Sequence, residues 1–157
     1  MAEAHRQSVD AGQQRERVLN NRILLAIALA ISPALALAAD PRRDALLSEY
    51  AAEATRLDAG FTAFSAQRGE SLFRTPWNGG DARTPSCTAC HTANPRQAGR
   101  NAKTGRPIEP VAVSVNGRRF TDKTEVEKHF LRDCKSVLGR ECTASEKGDY
   151  VTFMAGQ

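Results

Sequence analysis

The pentapeptide Cys87-Thr88-Ala89-Cys90-His91 constrains the fold of this chain more than any other feature. Two cysteines separated by two residues and followed directly by a histidine are typical of covalent haem attachment, in which both sulfurs form thioether bonds and the histidine binds the iron. The same cysteine spacing occurs in redox dithiols and in one half of a zinc site. The compartment and the other cysteines decide between these alternatives.

The first 38 residues have the order of a secretory signal peptide. Arg17 and Arg22 precede an uncharged apolar run over 23–37, and the run ends in a small-x-small sequence at 36–38. We therefore expect cleavage after residue 38 and a periplasmic location in a bacterium. An uncleaved membrane anchor is the alternative, but the apolar run is at the short edge of what spans a bilayer, and Pro33 weakens a helix there.

The polar lead before this run, residues 1–21, is long for a signal peptide and contains three acidic residues. One hypothesis is that translation starts downstream, at Val18, which can be a non-AUG start. An intact precursor that begins at Met1 would contradict it.

The mature chain is long enough for one domain, with about 119 residues after cleavage. Removing 38 residues takes away four basic and three acidic side chains, which leaves 18 basic against 15 acidic ones and a net charge of +3. No basic run is interleaved with aromatics, so nothing indicates nucleic-acid binding. A mildly positive surface favours an acidic redox partner, although it also serves solubility alone.

Helical periodicity dominates the mature chain, and no internal repeat or convincing sheet is found. Asp122 with Glu125 and Thr143 with Glu146 are capping-box patterns that predict two helix starts. The predicted helices cover 40–56, 58–75, 121–137 and 143–157. Loops are predicted over 76–86 and 92–110, with at most a short extended segment over 111–120.

The chain has few large apolar side chains with which to build a stable core, because it contains only one Trp, two Tyr and six Phe. A bound haem would supply the missing mass. The sequence therefore indicates an all-α domain built around one covalently attached haem.

Four cysteines allow three ways of forming two disulfides. A Cys87–Cys90 redox dithiol leaves His91 without a role and lacks the βαβ context of such enzymes. A four-cysteine zinc site needs Cys134 and Cys142, which have seven residues between them rather than two to four. The haem interpretation uses the whole motif and leaves Cys134 and Cys142 free to pair in an oxidising compartment.

The flanking segments resemble the sphaeroides haem protein family of small exported monohaem cytochromes c. The resemblance is carried by "TPSCTACH", "TGRPIEP" and "RRFTDKTEVEKHFLRDCKSVLGRECTASEKGDYVTF", with its strongest block over 119–149. It covers residue 68 to the C-terminus. We therefore divide the chain into a signal peptide (1–38), an N-terminal helical segment (39–67) and a cytochrome c-type haem domain (68–157).

The resemblance implies a class-I-like cytochrome c fold, few short helices and long loops around one haem c, and a Cys134–Cys142 disulfide. It implies a distal asparagine that leaves the iron on reduction, so that reduced iron can bind oxygen, carbon monoxide or nitric oxide. A dihaem cytochrome c and a membrane b-type cytochrome are the implied redox partners. We expect a monomer.

The chain departs from this family on the distal side. The family asparagine aligns with Asp133, and His129 lies one helical turn earlier, on the same helix face. An anionic carboxylate should favour ferric iron and lower the reduction potential. A partly buried carboxyl tends to a raised pKa, so we expect protonation of Asp133 to help its release.

Three side chains are candidates for the distal ligand. Asp133 has the position, His129 has the ligand chemistry that suits iron best, and Met154 is the residue type of an ordinary electron carrier. Met154 lies inside the C-terminal helix, so we interpret it as a core residue. Water or an empty position is the remaining alternative.

Two classes of function follow. In the first, a weak or labile distal ligand lets an electron-transfer cytochrome bind oxygen or another diatomic ligand. In the second, two strong axial ligands make a simple electron carrier; a zinc or disulfide structural module is a remote third. No proton-transfer constellation indicates an enzyme; reduction of oxygen or nitric oxide at the haem is the enzymatic alternative.

Overall fold

The computed structural model describes residues 40–157, and the predicted signal peptide (1–38) lies outside them. The described residues form five helices and one two-stranded antiparallel sheet. The elements in chain order are α1 (Pro41–Leu57), α2 (Ala66–Arg74), α3 (Thr88–His91), β1 (Gly99–Arg100), β2 (Pro107–Ile108), α4 (Lys123–Leu138) and α5 (Ala144–Ala155). The all-α class is confirmed.

The predicted helix over 58–75 is wrong in its first half, because the chain leaves the helical conformation at residue 58. The Asp58 backbone N–H closes α1 on the Ala54 carbonyl, and the Asp58 carboxylate accepts the Gly60 N–H at 2.8 Å. Such local side-chain-to-backbone bonds favour turns over helices. The helix restarts only at Ala66, where the Ser65 hydroxyl caps the Arg68 N–H.

Helices α2 and α5 cross in direct backbone contact at Gly69. A Cβ at this position would lie 2.0 Å from the Asp149 carbonyl oxygen, so only glycine permits the crossing. The Phe73 ring packs beside those of Tyr150 and Phe153, with centroids 6.2 and 5.9 Å away. The glycine in this helix therefore permits the close packing of α2 against α5.

The long connection after α3 is mostly irregular, as predicted, and contains the two short strands. Gly99 pairs with Ile108 and Arg100 with Pro107. Residues 111–120 do not form an extended segment. They turn instead, because the Ala112 carbonyl accepts the Val115 and Asn116 N–H groups.

Helices α4 and α5 begin at the predicted caps. The Asp122 carboxylate accepts the Glu125 N–H at 3.2 Å, and Thr143 and Glu146 form a complete capping box. Their buried faces, with those of α1 and α2, make the core, whose members include Leu46, Tyr50, Phe73, Val126, Phe130, Val151, Phe153 and Met154. Among residues 40–157, no helix is long and apolar enough to cross a membrane.

Candidate functional site

The CTACH motif forms one helical turn that places both thiols on one side. Cys87 is the N-cap of α3, and its carbonyl accepts the Cys90 and His91 N–H groups at 3.2 and 3.0 Å. Residues three apart on a helix are neighbours, so the two sulfurs face the same space. Neither sulfur is in a disulfide.

Cys87, Cys90 and His91 line a cavity of about 610 Å³. This is within the usual range for cofactor sites. Apolar side chains from three helices and the connection form its inner wall: Leu72, Val111, Phe120, Val126, Phe130, Val137 and Tyr150. Basic side chains line it as well: Lys103, Arg106, Arg118, Arg119 and Arg132.

This lining fits a haem. An apolar wall suits the porphyrin plane, and basic side chains suit its carboxylates. The two free thiols and the imidazole supply the attachment points and one iron ligand. The residues that could hold the group are therefore Cys87, Cys90 and His91, as predicted from the motif.

The environment of Cys87 is unlike that of a redox dithiol. Burial, aided by the negative charge of Asp133, raises the pKa of this thiol to about 12. Reactive dithiols have a lowered thiol pKa, because the thiolate is the nucleophile. The geometry thus disfavours the redox-dithiol alternative.

Backbone contacts hold His91 in place. A Cβ at Gly99 would lie 2.0 Å from the Cys90 carbonyl oxygen, so β1 rests directly against the motif. Thr92, the next residue, has φ of 62° and ψ of 171°, a conformation that is essentially restricted to glycine. Burial lowers the pKa of His91, and this favours the neutral imidazole that binds metals.

Helix α4 lines the same cavity with Asp133, His129 and Arg132. Arg132 Nε donates to Asp133 Oδ1 at 2.7 Å, and Nη2 donates to Oδ2 at 3.0 Å. The same Nη2 lies 2.7 Å from His129 Nδ1. A guanidinium only donates, so Nδ1 is the acceptor in this contact.

The pKa of Asp133 shifts in the direction opposite to our expectation. Burial alone would raise it, but the neighbouring His129 and the hydrogen bonds and positive charge of Arg132 outweigh burial and hold the pKa below the ordinary value. The raised pKa that we expected for Asp133 is therefore wrong, and its release by protonation stays a prediction. The sequence argument considered burial and omitted the adjacent guanidinium.

Met154 lies away from this cavity. Its side chain is fully buried in the core, and it does not line the cavity that holds the motif. Its interpretation as a core residue agrees with this position.

The remaining cysteines lie at disulfide distance. The sulfurs of Cys134 and Cys142 are 2.04 Å apart, next to Asp133 and directly before the Thr143 cap. This bond leaves no thiolates for a four-cysteine zinc site. Residues 40–157 also contain no cluster of three or more possible metal ligands.

Sequence reasoning missed Arg132, the residue that contacts both distal candidates. The distal candidates were residue types that bind iron, and arginine is not one of them. Its position directly before Asp133 in a helix that carries both candidates was the available signal.

A family model described as a domain of unknown function (DUF1924) matches residues 59–154. The cytochrome c-type protein SHP of Cereibacter sphaeroides is 42% identical over 136 residues, 87% of this chain and 98% of that protein. Cytochrome c'' of Methylophilus methylotrophus is 31% identical over 133 residues, 85% of this chain and 92% of that protein.

This chain belongs to the family of SHP and cytochrome c''. The structure of oxidized SHP, an oxygen-binding cytochrome c, superposes with a TM-score of 0.67 at 41% identity and covers 73% of this chain and 96% of SHP. The crystal structure of oxidized cytochrome c'' gives a TM-score of 0.61 at 32% identity and covers 73% and 93%. The predicted resemblance is confirmed.

SHP is described as an oxygen-binding cytochrome c, and a solution structure of cytochrome c'' concerns the structural basis of haem-ligand detachment.

Proposed function

We propose that this chain is a periplasmic monohaem c-type cytochrome whose distal ligand, Asp133, is weak enough to let oxygen or another diatomic ligand bind. The observation that carries the proposal is one cavity that is lined both by Cys87, Cys90 and His91 of the motif and by Asp133 of α4. SHP, a relative over most of the chain, is described as an oxygen-binding cytochrome c, which supports the same conclusion.

Haem, when bound, supplies the redox-active iron and one coordination position for a diatomic ligand. The chain supplies the rest. Cys87 and Cys90 hold the group covalently, His91 fixes one face, and the apolar wall excludes water. Asp133 on α4 offers an anionic oxygen, which suits ferric iron better than ferrous iron.

Electron transfer requires partners, and we propose a dihaem cytochrome c and a membrane b-type cytochrome, following the family resemblance. The periplasmic location rests on the signal-peptide pattern of 1–38 and on the redox state that a disulfide needs. N-terminal sequencing of the protein from a periplasmic fraction should give a chain that begins at Ala39.

The deciding experiment is an absorption spectrum of the dithionite-reduced protein with and without carbon monoxide. We expect a high-spin ferrous spectrum that changes to that of a carbon monoxide complex. A sharp low-spin spectrum that carbon monoxide leaves unchanged would contradict the proposal and favour the simple electron carrier.

Asp133→Ala tests the assigned ligand. Removing the carboxylate should shift the ferric spectrum, because the iron loses its anionic oxygen donor. The matched variant is His129→Ala, one turn earlier on the same wall. A shift with His129→Ala and none with Asp133→Ala would move the distal ligand to His129, and the simple electron carrier with two strong ligands would then be favoured.

A further inference from the structure

The Asp133 carboxylate is held by its sequence neighbour. Both oxygens of Asp133 accept hydrogen bonds from Arg132, at 2.7 and 3.0 Å. Adjacent residues on a helix point about 100° apart and do not normally face each other. The Arg132 side chain therefore folds across the helix surface toward the cavity to make this pair.

A two-point pair of this kind competes with a metal for the same oxygens. Hydrogen bonds between guanidinium and carboxylate in this geometry are among the stronger ones in proteins, because both groups are charged and the two bonds are parallel. With both oxygens bound to Arg132, the carboxylate is stabilised in a position that does not require iron. The chain thus contains a ready partner for Asp133 once it leaves the metal.

We propose that Arg132 is a positioning residue that captures the Asp133 carboxylate when it leaves the haem iron on reduction. The proposal rests on the proposed function, in which Asp133 is the distal ligand. One electron arrives from an external donor protein, and the Asp133 carboxylate dissociates with its electron pair and keeps its negative charge. Arg132 neutralises that charge, and the coordination position opens for a diatomic ligand.

The Arg132 guanidinium also holds His129, the other candidate for the distal ligand. Arg132 Nη2 donates to His129 Nδ1 at 2.7 Å, so the Nδ1 lone pair is occupied. His129 is thereby held as an acceptor toward Arg132. One side chain therefore favours an open distal position by binding both Asp133 and His129.

The test compares three single variants of the haem-loaded protein. Arg132→Gln removes the positive charge and the two parallel hydrogen bonds to Asp133. Arg132→Lys keeps the charge but loses the planar guanidinium that makes both hydrogen bonds. Lys128→Gln is the matched control. It removes the same charge from α4 at an exposed position whose ion pair is with Glu125, and it has no hydrogen bond to Asp133.

Arg132→Gln should weaken carbon monoxide binding to the reduced protein by roughly fivefold, because the carboxylate then has no competing partner and stays on the iron. The reduction potential should fall as well. Lys128→Gln should lower the potential by its charge alone and leave carbon monoxide affinity unchanged. Arg132→Lys should keep the reduction potential near that of the wild type, because the charge remains. Its carbon monoxide affinity should lie between those of Arg132→Gln and Lys128→Gln.

A double variant separates this inference from the proposed function. In an Asp133→Ala background, Arg132→Gln should no longer change carbon monoxide affinity, since the carboxylate that Arg132 captures is gone. If Asp133→Ala leaves the ferric spectrum unchanged, the distal assignment itself fails. If Asp133→Ala changes the spectrum but Arg132→Gln behaves like Lys128→Gln in affinity, only the role of Arg132 is overturned.

Discussion

The two walls of the cavity are built by different means. The wall of the CTACH motif is defined by backbone: Cys87 caps its own turn, and Gly99 rests against the Cys90 carbonyl. The Pro95 carbonyl accepts the Val111 and Ala112 N–H groups, at 3.0 and 2.9 Å, and this holds the following loop. The α4 wall is defined by side chains, in which Arg132 contacts both Asp133 and His129.

This difference separates what is fixed from what can vary. Under the proposed function, changing a residue of the motif should remove the attachment of the cofactor, whereas one substitution on α4 should change the chemistry and leave the fold intact. The family resemblance predicts that Asp133 takes the position of an asparagine in its relatives. We therefore expect large, all-or-none effects at the motif and graded effects on α4.

The largest effect is expected at the motif. Cys87→Ser with Cys90→Ser should abolish covalent haem, because neither serine hydroxyl forms a thioether. Mass spectrometry of the denatured protein should show the polypeptide alone. Cys134→Ser with Cys142→Ser is the matched control and should keep the haem mass. Covalent haem in the Cys87→Ser, Cys90→Ser variant would contradict the assignment of the motif as the attachment site.

Much of the fold could be predicted from local signals. The caps at Asp122 and Thr143 predicted the starts of α4 and α5, because capping depends on residues three apart and on nothing distant. The break after Leu57 was missed, since apolar spacing continued while Asp58 and Ser65 formed turn and cap hydrogen bonds. A helical period cannot reveal where a side chain competes with the helix for its own backbone.

The site shows the same division. The motif alone predicted Cys87, Cys90 and His91 as site residues, because haem attachment depends on their spacing. The i, i+4 spacing placed His129 and Asp133 on one wall, and both line the cavity. The pKa direction of Asp133 was wrong, because it depends on where the Arg132 guanidinium folds, and no spacing rule places adjacent helix residues together.

The disulfide beside Asp133 is expected to have an intermediate effect. Replacing Cys134 and Cys142 with serine opens a loop with a sequence separation of 8, and the loss of chain constraint should cost about 2 kcal/mol. Urea unfolding of the haem-loaded protein measures it. The ferric spectrum should also broaden, because α4 then ends without its covalent tie. An unchanged unfolding midpoint would show that the distal wall does not depend on this bond.

The smallest effect is expected behind α4, where Glu127 ties it to its neighbours. Its carboxylate accepts the Tyr50 hydroxyl of α1 and Lys147 Nζ of α5, the latter at 2.6 Å. Burial raises the Glu127 pKa, but the bonds from Lys147 and Tyr50 outweigh it and leave the pKa below the ordinary value. A lowered folded-state pKa means that this stabilisation is present at neutral pH and is lost as the pH falls through that pKa.

Glu127→Gln should therefore flatten the acid side of the stability profile. The difference in unfolding midpoint between neutral pH and about pH 4 should shrink relative to wild type, because the variant has no carboxylate to protonate. Glu53→Gln on α1, an exposed position paired with Arg56 at 4.0 Å, is the control and should keep the wild-type slope. Equal slopes for wild type and Glu127→Gln would mean that α4 is held by its apolar face, through Val126 and Phe130, and by its disulfide, without Glu127. The distal wall would then be tunable at Asp133 and Arg132 without any contribution from the ionic contacts on its far side.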